Sequence, residues 1–191
     1  VPIDRLSNTA SSGEGSLHVH LRQAGGSTKT GRQVDIEMPA QPRPIIATSI
    51  APKEIEKQAR AVESWIKLGF RPVSINCVEE AAVLRQPFPD VEFVRAKRDA
   101  RALFGKPFVY LDDFLEYFAK SSSEFCGIVN SDVFLSGDEG IISFMRDQSR
   151  GALVYGSRIE VDSPQVLAGE FFEKGFDCFF CHLRQFQPQF F

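Results

Sequence analysis

An amide, a hydroxyl and a carboxylate stand together at Asn130, Ser131 and Asp132, inside the otherwise apolar run FCGIVNSDVFLS. A carboxylate buried without a partner is expensive. Asp132 therefore needs a turn, a helix N-terminus or a cation beside it. Two chemistries follow. In one, Ser131 or Asp132 bonds nearby backbone in a turn. In the other, Asp132 stands at a strand end and holds a divalent cation that bridges a diphosphate. Magnesium or manganese suits such carboxylate and phosphate oxygens.

Other reactive residue types are present, each with a plainer reading beside the chemical one. Cys178, Cys181 and His182 form CFFCH, the spacing of covalent haem attachment. No second ligand pair for zinc accompanies them. Their Phe neighbours favour a strand carrying two small apolar thiols, with neither haem nor zinc. Cys77 and Cys126 sit in apolar runs and read as reduced core residues. His18 and His20 could share a strand face, but two histidines make no metal site. The stretch GGSTKTG departs from a phosphate loop because Thr28 precedes Lys29 and no helix follows. Asp112 and Asp113 fall mid-helix by spacing, on a solvated face, and Lys106 near that helix's start reads as a surface residue.

The elements that must position these residues alternate. Strands are expected at 45–50, 73–78, 91–95, 125–130 and 152–157, and GFDCFFCHL reads as a sixth. Between them lie PKEIEKQARAVESWIKLG, with Ile55, Ala59, Val62 and Ile66 at helical spacing, and a short helix in EEAAVLRQ. KPFVYLDDFLEYFAKS predicts a long helix with Phe108, Leu111, Leu115 and Phe118 on one side, and GDEGIISFMRDQS another helix. This alternation predicts an α/β fold: a mostly parallel central sheet with helices on both faces. Such sheets bind ligands at the carboxyl ends of their strands, where Ser131 and Asp132 fall. Residues 1–43, rich in Ser, Gly, Thr and Gln before a Pro-rich boundary, read as a flexible leader to a domain at 44–191.

The 191 residues suffice for one sizeable core, and 43% are hydrophobic, including 18 Phe. The net charge of −3 argues against duplex nucleic acid as a partner. No apolar run approaches the roughly 20 residues that span a bilayer. The N-terminus lacks the apolar centre of a signal peptide, so the expected compartment is the cytosol.

Asn-Ser-Asp after an apolar strand resembles a variant of the Asp-X-Asp motif of GT-A-fold nucleotide-sugar glycosyltransferases. IIATSIAP, SWIKLGF, VSINCVEE, FGKPFVYLDDFLEYF, IVNSDVFL, YGSRIEVD and GFDCFFC follow the order of a GT-A-like group of nucleotide-diphospho-sugar transferases, from about Pro44 to Cys181. The resemblance implies a GT-A, Rossmann-like domain. It implies that Thr48 and Ser49 lie near the nucleoside and Asn76 near the base or ribose. Asp132 would hold manganese or magnesium, with Asn130 standing where many relatives have the first Asp. Replacing Asn130 by Asp would then be expected to strengthen metal dependence. Arg158 would face a phosphate or a sugar acid group, its alternative being a surface salt bridge. Asp177 would lie near the donor sugar or acceptor, its alternative being a turn residue at a strand start. The implied partners are a nucleotide-sugar donor and an unknown acceptor.

GT-A enzymes usually continue past this last strand with acceptor-binding elements, whereas this sequence ends in HLRQFQPQFF, with Phe190 and Phe191 last. The expectation is a nucleotide half without its acceptor half. Three functions stand open. The first is a glycosyltransferase domain passing a sugar to an acceptor hydroxyl. The second is a nucleotidyltransferase making nucleotide sugars, against which TSIAPKEIEKQAR counts because it lacks a Gly run. The third is a non-catalytic binding or interaction module.

Overall fold

The computed structural model describes residues 42–138, 140–161 and 169–183. All of these belong to one compact unit, Pro39–Phe191. The leader as far as residue 41, with His18, His20 and the GGSTKTG stretch, lies outside the described residues, as do Phe190 and Phe191.

The fold is α/β. Its elements run β1 (Ile45–Thr48), α1 (Ile55–Lys67), β2 (Arg71–Asn76), α2 (Val78–Leu84), β3 (Glu92–Arg95), α3 (Arg101–Phe104), α4 (Leu111–Lys120), β4 (Phe125–Val129), α5 (Ile141–Gln148), β5 (Val154–Gly156), β6 (Ile159–Glu160), β7 (Glu170–Phe171) and β8 (Cys178–His182). Six strands form the main sheet in the order β3-β2-β1-β4-β8-β5, and β6 with β7 forms a separate two-stranded sheet. The pairs β3–β2, β2–β1 and β1–β4 are parallel. The strand β8 enters antiparallel between β4 and β5, placing Cys178 beside both Val129 and Gly156. The carboxyl ends of β4 and β5 therefore meet the start of β8 at one edge.

Parallel strands covered on both faces must be apolar on both, and β1 is buried at every residue. On one face Ile46, Trp65, Phe70, Phe125 and Phe180 form the core, with Ile142 and Met145 of α5 packed against it. Rings Phe125 and Phe180 stack at 5.8 Å, with Phe70 at 5.9 Å from Phe180. On the other face Ile45, Ala47, Val73 and Cys126 pack against Phe114 and Phe118 of α4. Burying one such large side chain stabilises the fold by about 1.5–3 kcal/mol.

One predicted element differs. The long helix expected in KPFVYLDDFLEYFAKS begins only at Leu111, and a separate turn of helix, α3, precedes it. Gly105 ends α3 in the left-handed region at φ 68, and Pro107 follows two residues later. Phe108 and Leu111, expected on the buried side, are 55% and 60% exposed. Lys106 consequently stands in the α3–α4 connection, exposed. Asp112 and Asp113 fall in the first turn of α4 rather than at mid-helix, where carboxylates complement the helix dipole. Asp113 is also buried instead of solvated: its Oδ1 accepts from the Lys97 amide at 3.4 Å, and its Oδ2 has no hydrogen-bond partner among the described residues.

Candidate functional site

The strand β4 stops at Val129, and residues 130–133 turn, the Val133 amide donating to the Asn130 carbonyl at 3.1 Å. The interruption in the apolar run is thus a turn at the carboxyl end of a central strand. Across this turn the side chains of Asn130 and Asp132 find different partners.

Asn130 faces β8. Its backbone N–H donates to the Asp177 carbonyl at 2.9 Å, and its side-chain amide donates to Asp177 Oδ1 at 2.7 Å. From the end of β5, Arg158 donates through one nitrogen to both oxygens of the same carboxylate, each at 3.0 Å. Asp177 is buried, so these bonds satisfy a carboxylate that could not stand there alone. Arg158 also pairs with Glu160 at 2.6 Å, and its guanidinium lies 3.9 Å from the centre of the Phe172 ring. Its hydrogen bonds to Glu160 and then Asp177 hold its proton more tightly than usual.

Asp132 faces α1 instead. Its Oδ2 accepts from Lys57 Nζ at 2.8 Å, across side chains 46% and 55% exposed. Burial pushes the Asp132 carboxyl up, but the Lys57 hydrogen bond and charge carry it below its ordinary range. The same hydrogen bond raises Lys57. The helix α1 fixes the following loop as well. Trp65 Nε1 donates to the Val133 carbonyl at 2.9 Å, and the Leu135 amide donates to Ser64 Oγ at 3.0 Å. Residues 57, 64 and 65 are spaced by two helical turns and so share one side of α1.

The two pairs, together the charged strip, are coupled only through space, Arg158 adding to the field at Asp132, and Glu54 and Glu160 to that at Lys57. Beside Lys57 an open hollow of about 460 Å³ is lined by Glu54, Ile55, Glu56, Lys57 and Arg60. Lys57 and Glu160 carried no signal in the sequence. A Lys on a charged helix face resembles every other surface Lys until the fold sets it beside Asp132.

The remaining predicted residues sit apart from this strip. Thr48 closes β1 and is buried. Asn76, at 0% exposure, ties the β1–α1 connection together. Its amide donates to the Ile50 carbonyl at 2.8 Å and to Glu80 at 3.0 Å, with Ser49 Oγ at 3.5 Å. Its oxygen accepts from Ser74 Oγ at 2.6 Å. In this arrangement Asn76 is committed to the loop. Cys178 and Cys181 lie in β8, and the four cysteines are free thiols.

Among the described residues no group of three or more His, Cys, Asp or Glu side chains could hold a metal ion. Asp132 offers a single exposed carboxylate, while Asp177 is engaged by Arg158 and Asn130. One carboxylate does not make a cage. It fits a hard cation that keeps water and phosphate oxygens as its other ligands, the usual manner of holding magnesium.

No family model matches the chain, and no curated protein matches it. A glycosyltransferase from Streptococcus pneumoniae TIGR4, GlyE, is similar over 75% of this chain and 34% of its own, at 11% identity and a TM-score of 0.37. This chain thus spans about a third of that structure's length. No helix among the described residues is long and apolar enough to cross a membrane.

Proposed function

We propose that the chain binds a nucleotide-diphospho-sugar donor at the carboxyl edge of its sheet, as the donor half of a glycosyltransferase acting on an acceptor hydroxyl. The observation that carries this reading is the meeting of Asn130, Arg158 and Asp177 where β4 and β5 end, with Asp132 on the turn just beyond β4. Open parallel sheets place their ligands at that edge. The side chains there suit a donor with both phosphate and hydroxyl groups. Arg158 and Lys57 are cations for phosphate oxygens. Glu160, exposed, is an acceptor for sugar hydroxyls, and Asp177 holds Arg158 in place beside it. Ser49 follows the end of the neighbouring strand on the side proposed for the nucleoside, and the buried Thr48 and Asn76 would shape that loop rather than touch the ligand. A divalent cation at Asp132, manganese or magnesium, would supply charge neutralisation to the diphosphate as it leaves.

The connection from β1 to α1, residues 49–54, contains no glycine. That supports sugar transfer over nucleotidyl transfer, whose enzymes typically wrap the triphosphate in a Gly-rich loop after the first strand. Calorimetric titration with nucleoside diphosphates and nucleotide sugars, with and without manganese, tests the reading. Binding that strengthens with manganese in the parent, and loses that gain in Asp132→Ala, is the expected result. Absence of binding under all conditions would remove the donor site. Synthesis of a nucleotide sugar from a sugar phosphate would identify the nucleotidyltransferase instead. Because Asp132 and Lys57 are both exposed, Asp132→Ala is expected to change stability by no more than about 1 kcal/mol.

A further inference from the structure

We propose that Lys57 is an exchangeable counter-ion: it occupies Asp132 in the empty protein, gives way to a divalent cation arriving with a nucleoside diphosphate, and then takes hold of a phosphate oxygen. The inference rests on the donor-binding reading and deepens it, by naming a residue and an order of events.

The geometry that carries it begins with Lys57 Nζ, 2.8 Å from Asp132 Oδ2. A hard cation seeks that oxygen, and it meets an ammonium already there. The pair is more than 45% exposed on both sides, so its net strength is small and the exchange is reversible. The strip's other two carboxylates are engaged: Arg158 binds Asp177 through both oxygens and pairs with Glu160, and Asn130 donates to Asp177 as well. A cation alone would gain one carboxylate and keep most of its water, so it binds weakly. A cation carrying a diphosphate keeps its other oxygen ligands, and the released Lys57 gains an anion in place of the carboxylate it leaves.

Charge arithmetic agrees. The strip holds Lys57 and Arg158 against Asp132, Asp177 and Glu160, two positive charges against three negative. A bare diphosphate would be repelled by this balance. A divalent cation cancels most of the diphosphate's charge, so the two together are repelled far less. Lys57 also borders the open hollow beside α1, so its four-carbon stem has room to turn from the carboxylate towards a ligand.

The test measures manganese alone and then nucleotide. Free manganese is followed by electron paramagnetic resonance in the parent, Lys57→Met, Lys57→Gln and Arg60→Met. Arg60 lines the same hollow and bonds only the Glu56 carbonyl among the contacts described, so it reports the general field. Manganese is expected to bind the parent weakly and both Lys57 variants roughly two- to fivefold more tightly, the competition that an exposed ion pair sustains. Arg60→Met is expected to match the parent. With uridine diphosphate or guanosine diphosphate plus manganese, the Lys57 variants should bind about tenfold more weakly, through loss of a charged phosphate contact. Unchanged manganese affinity in the Lys57 variants overturns the proposal. So does an equal gain in Arg60→Met, or undiminished diphosphate affinity. If neither diphosphate binds the parent with or without manganese, the donor reading falls and this inference falls with it. If the parent binds and the Lys57 variants bind as well, the donor reading stands and only the exchange is lost.

Discussion

Asn130 shows why one atom at a motif position matters. Its side chain donates to a buried carboxylate, a hydrogen that an ionised carboxylate in its place could not supply. An Asp there would set two carboxylates within hydrogen-bond distance. The gain in metal dependence anticipated for Asn130→Asp is therefore replaced by another expectation. The substitution should destabilise the fold by about 1–3 kcal/mol, the cost of losing a buried hydrogen bond and opposing like charges. Urea denaturation checks this, and the deficit should shrink as the pH is lowered towards about 4, because the neighbouring charge makes the introduced carboxyl take up a proton more readily than in the unfolded chain. An Asn130→Asp variant as stable as its parent at neutral pH would show that Arg158 alone neutralises both carboxylates.

At the scale of elements, the helix α1 and the strand β8 hold the site between them. Three residues on one side of α1 grip the loop after β4 at Asp132, Val133 and Leu135. The strand β8 brings Asp177 to Asn130 and Arg158 only because its antiparallel register sets Cys178 against Val129. That register depends on close approach at Gly127, which pairs with Phe180. A Cβ added at Gly127 would overlap the Phe180 ring, itself 1% exposed and stacked on Phe125. The ring cannot move aside within a packed core. Gly127→Ala is expected to lower stability by about 1–3 kcal/mol or more, by overpacking. It should also weaken ligand binding, since Asp177 would move with β8. Thermal melting and calorimetry on this one variant test both, and unchanged binding would separate the site from the register.

Across the whole molecule, burial governs the thiols. Burial pushes the Cys126 thiol up to about 12 and Cys181 up to about 11, and it raises Cys178 and Cys77 as well. The sign follows directly. In the unfolded chain a thiol loses its proton near pH 8.5–9, while in the folded protein Cys126 and Cys181 keep theirs. The unfolded state then binds fewer protons, so stability falls as pH rises through this window. The urea midpoint should decline from pH 8 to 10 in the parent and decline less steeply in Cys126→Ala and Cys181→Ala. Parallel slopes would mean that these thiols are open to solvent. Thiol reagents should label them only on unfolding, because the thiolate is the reacting form.

The sequence by itself determined the strand–helix alternation and with it the parallel half of the sheet. Apolar runs such as IIAT and FCGIV bury both faces and leave little choice of partner layer. It also marked the strand end at Asn130, where three polar residues in a row interrupt the apolar run. The helix at KPFVYLDDFLEYFAKS was misplaced at its start, since helical spacing continues through residues that a glycine and a proline keep out of the helix. Only the tertiary structure decided which charges meet. Asp132 pairs with Lys57, 75 residues away in sequence, and Asn130 with Asp177, 47 residues away. Local pattern holds no record of such pairings, because they arise from the insertion of an antiparallel β8 beside β4 and from the angle at which α1 crosses the loop. Periodicity is written along the chain, whereas the balance of charge at a strand end is set by elements that the chain brings back to it.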